Sequence, residues 1–137
     1  VAENIPRFSQ RLGAFLPRPQ DAASQARHER FLAAEEAIYT NAADPIVNWD
    51  DRDLVQQATD AGLVACKSSL TVFRRDQTIA PAQLERWFAD HPGSFAQRLS
   101  QHDLTPEDIL AAKAALASAA HQVTWHSTVA FLTAAHD

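Results

Sequence analysis

An α/β fold is the class that this sequence predicts, as a single domain or domain fragment over residues 1–137 with about three strands packed with several helices. Three observations lead there. The chain has 137 residues and is 46% apolar, enough for one domain with a core to bury. Two stretches, Leu63–Phe73 and Val123–Ala134, are rich in β-branched and aromatic residues. The segments around them carry helix caps and apolar residues at helical spacing.

Taken in order, Val1–Ile5 reads as the end of a strand whose beginning is missing, followed at Pro6 by a short helix with Phe8, Leu12 and Phe15 on one side. Pro17 and Pro19 stop that helix, since neither donates a backbone N–H. Asp21 opens a longer helix to about Tyr39, with Phe31, Ala34 and Ile38 as its buried stripe and a charged opposite face. Thr40–Trp49 holds Asn41, Asp44 and Pro45 and reads as a loop. Asp50 or Asp51 then caps a helix that ends before Gly62, a residue type free to adopt the left-handed closing conformation.

Leu63–Phe73, with Val64, Cys66, Leu70 and Val72 at even spacing, reads as a strand that can run on through Arg74, Arg75 and Asp76. A helical insertion follows at about 79–122. In it, Pro81 suits the first turn of a helix reaching Ala89, with Leu84, Trp87 and Phe88 on one face. His91-Pro92-Gly93 breaks that helix before a short one over Phe95–Leu99. Thr105-Pro106-Glu107-Asp108 joins a capping hydroxyl, a proline suited to the first position and two acids at the positive end of the helix dipole, so a helix runs on to about Ala120. Val123–Ala134 is the final strand. No internal repeat or low-complexity linker is visible.

Composition narrows the function classes. With 12 basic and 17 acidic residues, a net charge of −5 works against a binder of nucleic acid that relies on neutralising phosphates. Arg7, Arg11 and Arg18 offer a small positive patch near the start, and a solvated helix face accounts for them equally well. Cys66 is the only cysteine, so no intrachain disulfide forms and a thiolate cage needs another chain. No leader-like segment and no apolar run of about 20 residues is present, so a reducing, cytoplasmic setting without membrane contact is expected. The absence of methionine and the start at Val1 predict excision from a longer chain.

Phosphate-cradling loops need clustered glycines, and here Gly13, Gly62 and Gly93 stand far apart. A P-loop ATPase or self-sufficient cofactor enzyme therefore lacks required parts. The closest histidines, His121 and His126, are five apart with no acid between them, whereas helix-borne zinc ligands share a face at spacing three or four. No metal ligand is assigned. His28 and Glu35 share a helical face two turns apart and read as a solvated surface pair. Cys66, inside a strand, reads as a small core residue, and no G-x-S-x-G turn presents a serine. Trp49, Trp87 and Trp125 line a ligand pocket or, as the ordinary reading, pack in the core and its rim. Glu3, Asn4 and Arg7 follow a strand end, where open α/β sheets bind ligands, and are the best local candidates for contacting a small molecule. A solvated turn is the competing reading.

The segments Ala2-Glu3-Asn4-Ile5-Pro6-Arg7, Trp49-Asp50-Asp51-Arg52-Asp53-Leu54, Ala61-Gly62-Leu63 and Thr128-Val129-Ala130-Phe131-Leu132, in this order, resemble the C-terminal half of a class I S-adenosylmethionine-dependent methyltransferase. There the fifth strand is followed by helices and by an antiparallel pair that closes a Rossmann-like sheet. Ala34-Glu35-Glu36-Ala37-Ile38-Tyr39-Thr40 and Asn48-Trp49-Asp50 are similar to the methyltransferase-like region that some bacteria carry fused behind a replication-associated recombination AAA+ ATPase. Leu63 stands where that family commonly has phenylalanine, and the insertion at about 79–122 separates the last two strands.

The resemblance implies that the glycine-rich cofactor loop and the ribose-holding acid lie in an N-terminal half outside this sequence. S-adenosylmethionine would then bind the intact parent, and this chain would be its substrate-side part, inactive alone, with no catalytic or cofactor-binding residue. Insertions of this kind shape specificity in such enzymes, so Trp87, with Phe88 and Phe95, faces a substrate in the intact protein or covers the sheet. The partner implied is the remainder of the parent chain, with self-association through an exposed sheet edge as a further expectation. The alternative is a non-catalytic accessory or interaction domain of a DNA replication-recombination AAA+ ATPase. A free-standing small-ligand binder would need a closed pocket within these residues.

Overall fold

A computed structural model of the chain describes residues 1–119 and 122–136. Its elements begin and end where short-range chemistry dictates. The helix α1 (Ala22–Tyr39) opens where the Asp21 carboxylate accepts the Ser24 N–H at 2.8 Å. The next, α2 (Asp51–Asp60), opens on a reciprocal cap: Asp50 accepts the Arg52 N–H at 2.9 Å while Asp53 accepts the Asp50 N–H at 2.7 Å. Gly62, at φ +87°, turns the chain so that the Leu63 N–H reaches back to the Ala58 carbonyl at 3.1 Å, closing α2. Three further helices follow, α3 (Pro81–Trp87), α4 (Phe95–Ser100) and α5 (Pro106–Ala119). The hydroxyls of Ser94 and Thr105 cap α4 and α5, each accepting an N–H at 3.1 Å.

Three strands, β1 (Ala2–Asn4), β2 (Val64–Gln77) and β3 (Val123–Ala135), form one antiparallel sheet in the order β1-β3-β2. In the β1–β3 register Ala2 lies opposite Phe131, Glu3 opposite Ala130 and Asn4 opposite Val129. The fold is thus mixed α/β, with a three-stranded antiparallel sheet and several helices.

The chain divides into two compact units, the first comprising Val1–Gln10, Tyr39–Arg75 and Trp125–Asp137, the second Arg11–Ile38 and Asp76–Thr124. The first holds most of the sheet with α2, and its buried apolar side chains are Ile5, Val47, Ala58 and Ala130. The second holds most of α1 with the helices of the insertion, and α5 packs against α3 and α4. Leu99 and Leu116 there are wholly buried, and the Phe95 ring meets Phe31 and Phe88 edge to face at 6.4 and 5.8 Å. Of the two rings that the sequence offers to a substrate or to the sheet, Phe95 packs on Phe31 of α1 and Phe88 packs on Phe95.

Two expectations change. The single helix with Phe8, Leu12 and Phe15 is two separate 3-10 turns, Pro6–Phe8 and Leu12–Phe15. Ser9 and Arg11 are extended at ψ 147° and 127°, so no continuous helix crosses them. The even-spaced apolar residues of β2 form a strand but not a buried face. Leu70 and Val72 are 45% and 55% exposed, and Phe73 on the other face is 49% exposed, packing edge to face on Phe131 at 6.3 Å. Cys66 is half-buried rather than a core residue.

Candidate functional site

The carboxyl end of β1 opens into a cleft of about 270 Å³ within the first unit. Asn4 is the last residue of β1, and the 3-10 turn begun by Pro6 carries Ser9 and Gln10 round to the start of β3. From β3 come Trp125, His126 and Ser127. Two hydrogen bonds set the geometry: the Ile5 N–H donates to the Thr128 carbonyl at 3.0 Å, and the His126 N–H donates to Gln10 Oε1 at 3.1 Å. The lining thus offers amide, hydroxyl, indole and imidazole groups and no carboxylate. Such a set orients a small polar group by hydrogen bonds, and His126 is its one acid–base side chain.

Beside it, Arg7 is drawn into α2's cap. Its guanidinium donates to Asn48 Oδ1 at 3.1 Å and to Asp50 Oδ2 at 3.4 Å. Asp50, 5% exposed, also accepts from the Arg52 guanidinium at 2.8 Å. That bond to Arg52 holds the Asp50 carboxyl below its ordinary value against the opposing effect of burial. A hydrogen bond of 2.6 Å from Ser68 to Asp51 ties β2 to the same helix end. These bonds tie Arg7 at the β1 exit to the loop before α2.

Of the sequence candidates, Asn4 lies in the cleft, Glu3 is exposed on β1, and Trp87 sits half-buried on α3 in the second unit. Of the other tryptophans, Trp125 lines the cleft, and Trp49 donates from Nε1 to the Ile46 carbonyl at 3.1 Å. No local pattern marks Gln10 and His126 for this site: they meet across 116 positions, and the pairing of β1 with β3 brings them together. His121 of the histidine pair lies outside the described residues. Among the described residues no group of three or more His, Cys, Asp or Glu side chains is placed to hold a metal ion.

Glu35 overturns its reading as a solvated partner of His28. It is 1% exposed, and its two oxygens accept the N–H groups of Leu12 at 2.6 Å and Gly13 at 2.8 Å. Burial raises its carboxyl above the ordinary value, opposed by those two N–H groups and by Arg11. The signal was in the spacing: residue 35 is i+4 from Phe31 and i−3 from Ile38, inside the buried stripe. Arg11 pairs with the neighbouring Glu36 at 2.9 Å. Asp108 is likewise buried at 5% exposure, and its carboxylate accepts from the Arg30 guanidinium at 2.8 Å and from the Thr105 N–H at 3.4 Å.

No helix among the described residues is long and apolar enough to cross a membrane. No family model, curated protein or solved structure matches the chain.

Proposed function

We propose that this chain is the C-terminal, substrate-side part of a class I methyltransferase-like domain with a Rossmann-like sheet, completed by an N-terminal half that supplies the S-adenosylmethionine site. The observation that carries the reading is the strand order. β3 returns to lie between β1 and β2, antiparallel to its neighbours, so that β3 and β2 close the sheet on one side of β1. That is the arrangement expected where a strand is followed by helices and then by a closing antiparallel pair. Among the described residues the other side of β1 has no strand beside it, and an N-terminal half would add its strands there. The cleft at the β1 exit, with Asn4 at its mouth, then falls at the carboxyl end of a strand, the place where open α/β sheets hold ligands. Its hydrogen-bonding groups would orient a polar acceptor rather than activate it.

Calorimetric titration of S-adenosylhomocysteine into this chain, and into the longer protein that carries residues 1–137 behind its N-terminal half, tests the proposal. Binding to the longer protein alone is the expected outcome. Binding to this chain by itself overturns the split, and binding to neither favours the non-catalytic accessory domain of a recombination ATPase.

A further inference from the structure

We propose that a second cleft, in the helical unit, binds a small flat apolar molecule carrying one anionic group. The cleft lies between the Pro17–Asp21 segment, the first turns of α1 and one face of α5, with a volume of about 330 Å³. That places it within the size of small-molecule sites, about 300–1,000 Å³. Every residue lining it belongs to the second unit, so its occupancy does not depend on the methyltransferase-like reading.

The walls explain the shape of the ligand. Phe31, 2% exposed, forms part of the floor, and Ala111, Ala112 and Ala115 of α5 complete it. These alanines stand at i, i+1 and i+4, adjoining positions on one helix face, and their side chains stop at Cβ where longer ones would fill the space. Pro17 and Pro19 line the cleft as well. Their fixed φ and missing N–H leave a wall with little freedom to lose and no donor to satisfy on binding. A rigid apolar slot of this kind favours a planar body.

The rim selects the charge. Arg18 and His28 both line the cleft, and neither side chain has a polar partner among the described residues. Arg27 lines it too, with Nε at 3.3 Å from Asp108. The two carboxylates present are already engaged: Asp21 accepts the Ser24 N–H at 2.8 Å, and Asp108 is paired with Arg30 at 2.8 Å. Arg27 is paired with Asp108 and, at 3.9 Å, with Glu107, so Arg18 is the lining guanidinium that has no carboxylate partner among the described residues. A carboxylate, phosphate or sulfonate over Arg18 gains charge-assisted hydrogen bonds from a forked donor. A neutral molecule of the same outline gains the floor alone, so preference for the charged form is the signature of the site.

Naphthalene-2-carboxylate and 2-naphthalenemethanol share the ring and differ in charge. Each is titrated into the full chain labelled at its alanine methyls and followed by NMR. The expected result is saturable shifts of the Ala111, Ala112 and Ala115 methyls, with the carboxylate bound about tenfold more tightly than the alcohol. Arg18→Gln, on an exposed side chain, should abolish that preference while the alcohol still binds; Ala115→Leu should fill the slot and abolish both. Absent shifts, shifts confined to other alanines, equal affinity for acid and alcohol, or an unchanged preference in Arg18→Gln would each overturn the proposal.

Discussion

Glu35 holds two backbone N–H groups with one carboxylate, and Gly13 lies so close that a side chain there would collide with it. A Cβ at Gly13 would fall 2.9 Å from Glu35 Oε2 and 2.3 Å from Leu32 Cδ2. Leu32 is 39% exposed and can swing aside, whereas the carboxylate is pinned by two donors. Gly13→Ala is therefore expected to cost about 1–3 kcal/mol in urea denaturation. Glu35→Gln presents one acceptor to two donors and sets an NH₂ against an N–H, with a loss of about 1–3 kcal/mol. The pH dependence has a definite sign. Because burial raises the folded value of Glu35, its contribution is complete below the ordinary value of 4.5 and is lost as pH rises through the raised one. The stability gap between the natural chain and Glu35→Gln should narrow as thermal melts are moved upward from pH 4.5. The burial of this residue is legible from its place in the Phe31–Ile38 stripe. Its partners are not, because no local pattern ties it to N–H groups 22 and 23 positions away.

The elements that the sequence marks plainly are those whose signals are local. Asp21, Asp50, Ser94 and Thr105 each meet an N–H within three residues, and Gly62 closes α2 by turning its own backbone. The second 3-10 turn is held by Glu35, which lies 22 and 23 positions away, and the exposure of β2 follows from strand neighbours set by distant residues, so neither is written in a local pattern. The candidate cleft follows the same rule. Asn4 is legible as a strand end, whereas Gln10 and His126 meet only once β3 has paired. Asp50 shows how much one cap can hold, since it joins the α2 N-terminus to Arg7 and Arg52. Asp50→Ala is expected to lose about 1–2 kcal/mol. Differential scanning calorimetry checks it, and a change below a few tenths of a kcal/mol would show the cap to be dispensable.

At the scale of the molecule, β2 has, among the described residues, a sheet neighbour on one side only, and Leu70, Val72 and Phe73 stand near half exposed. Arg74 and Arg75 follow directly, placing charge where another strand would dock. Replacing both with valine is expected to promote self-association, seen as sedimentation coefficients that rise with concentration. Unchanged sedimentation would assign the protection to something other than these charges.

β3 is the last strand along the chain and the middle one in the sheet. On the ribosome, β1 and β2 therefore wait for it. Between Gln77 and Val123 the described residues supply helices but no strand to bridge them. At about 5–20 residues per second, that interval lasts roughly 2–10 s. For that time the apolar side chains of β2 are a nascent segment without its sheet, and a holding chaperone has its clearest reason to bind there.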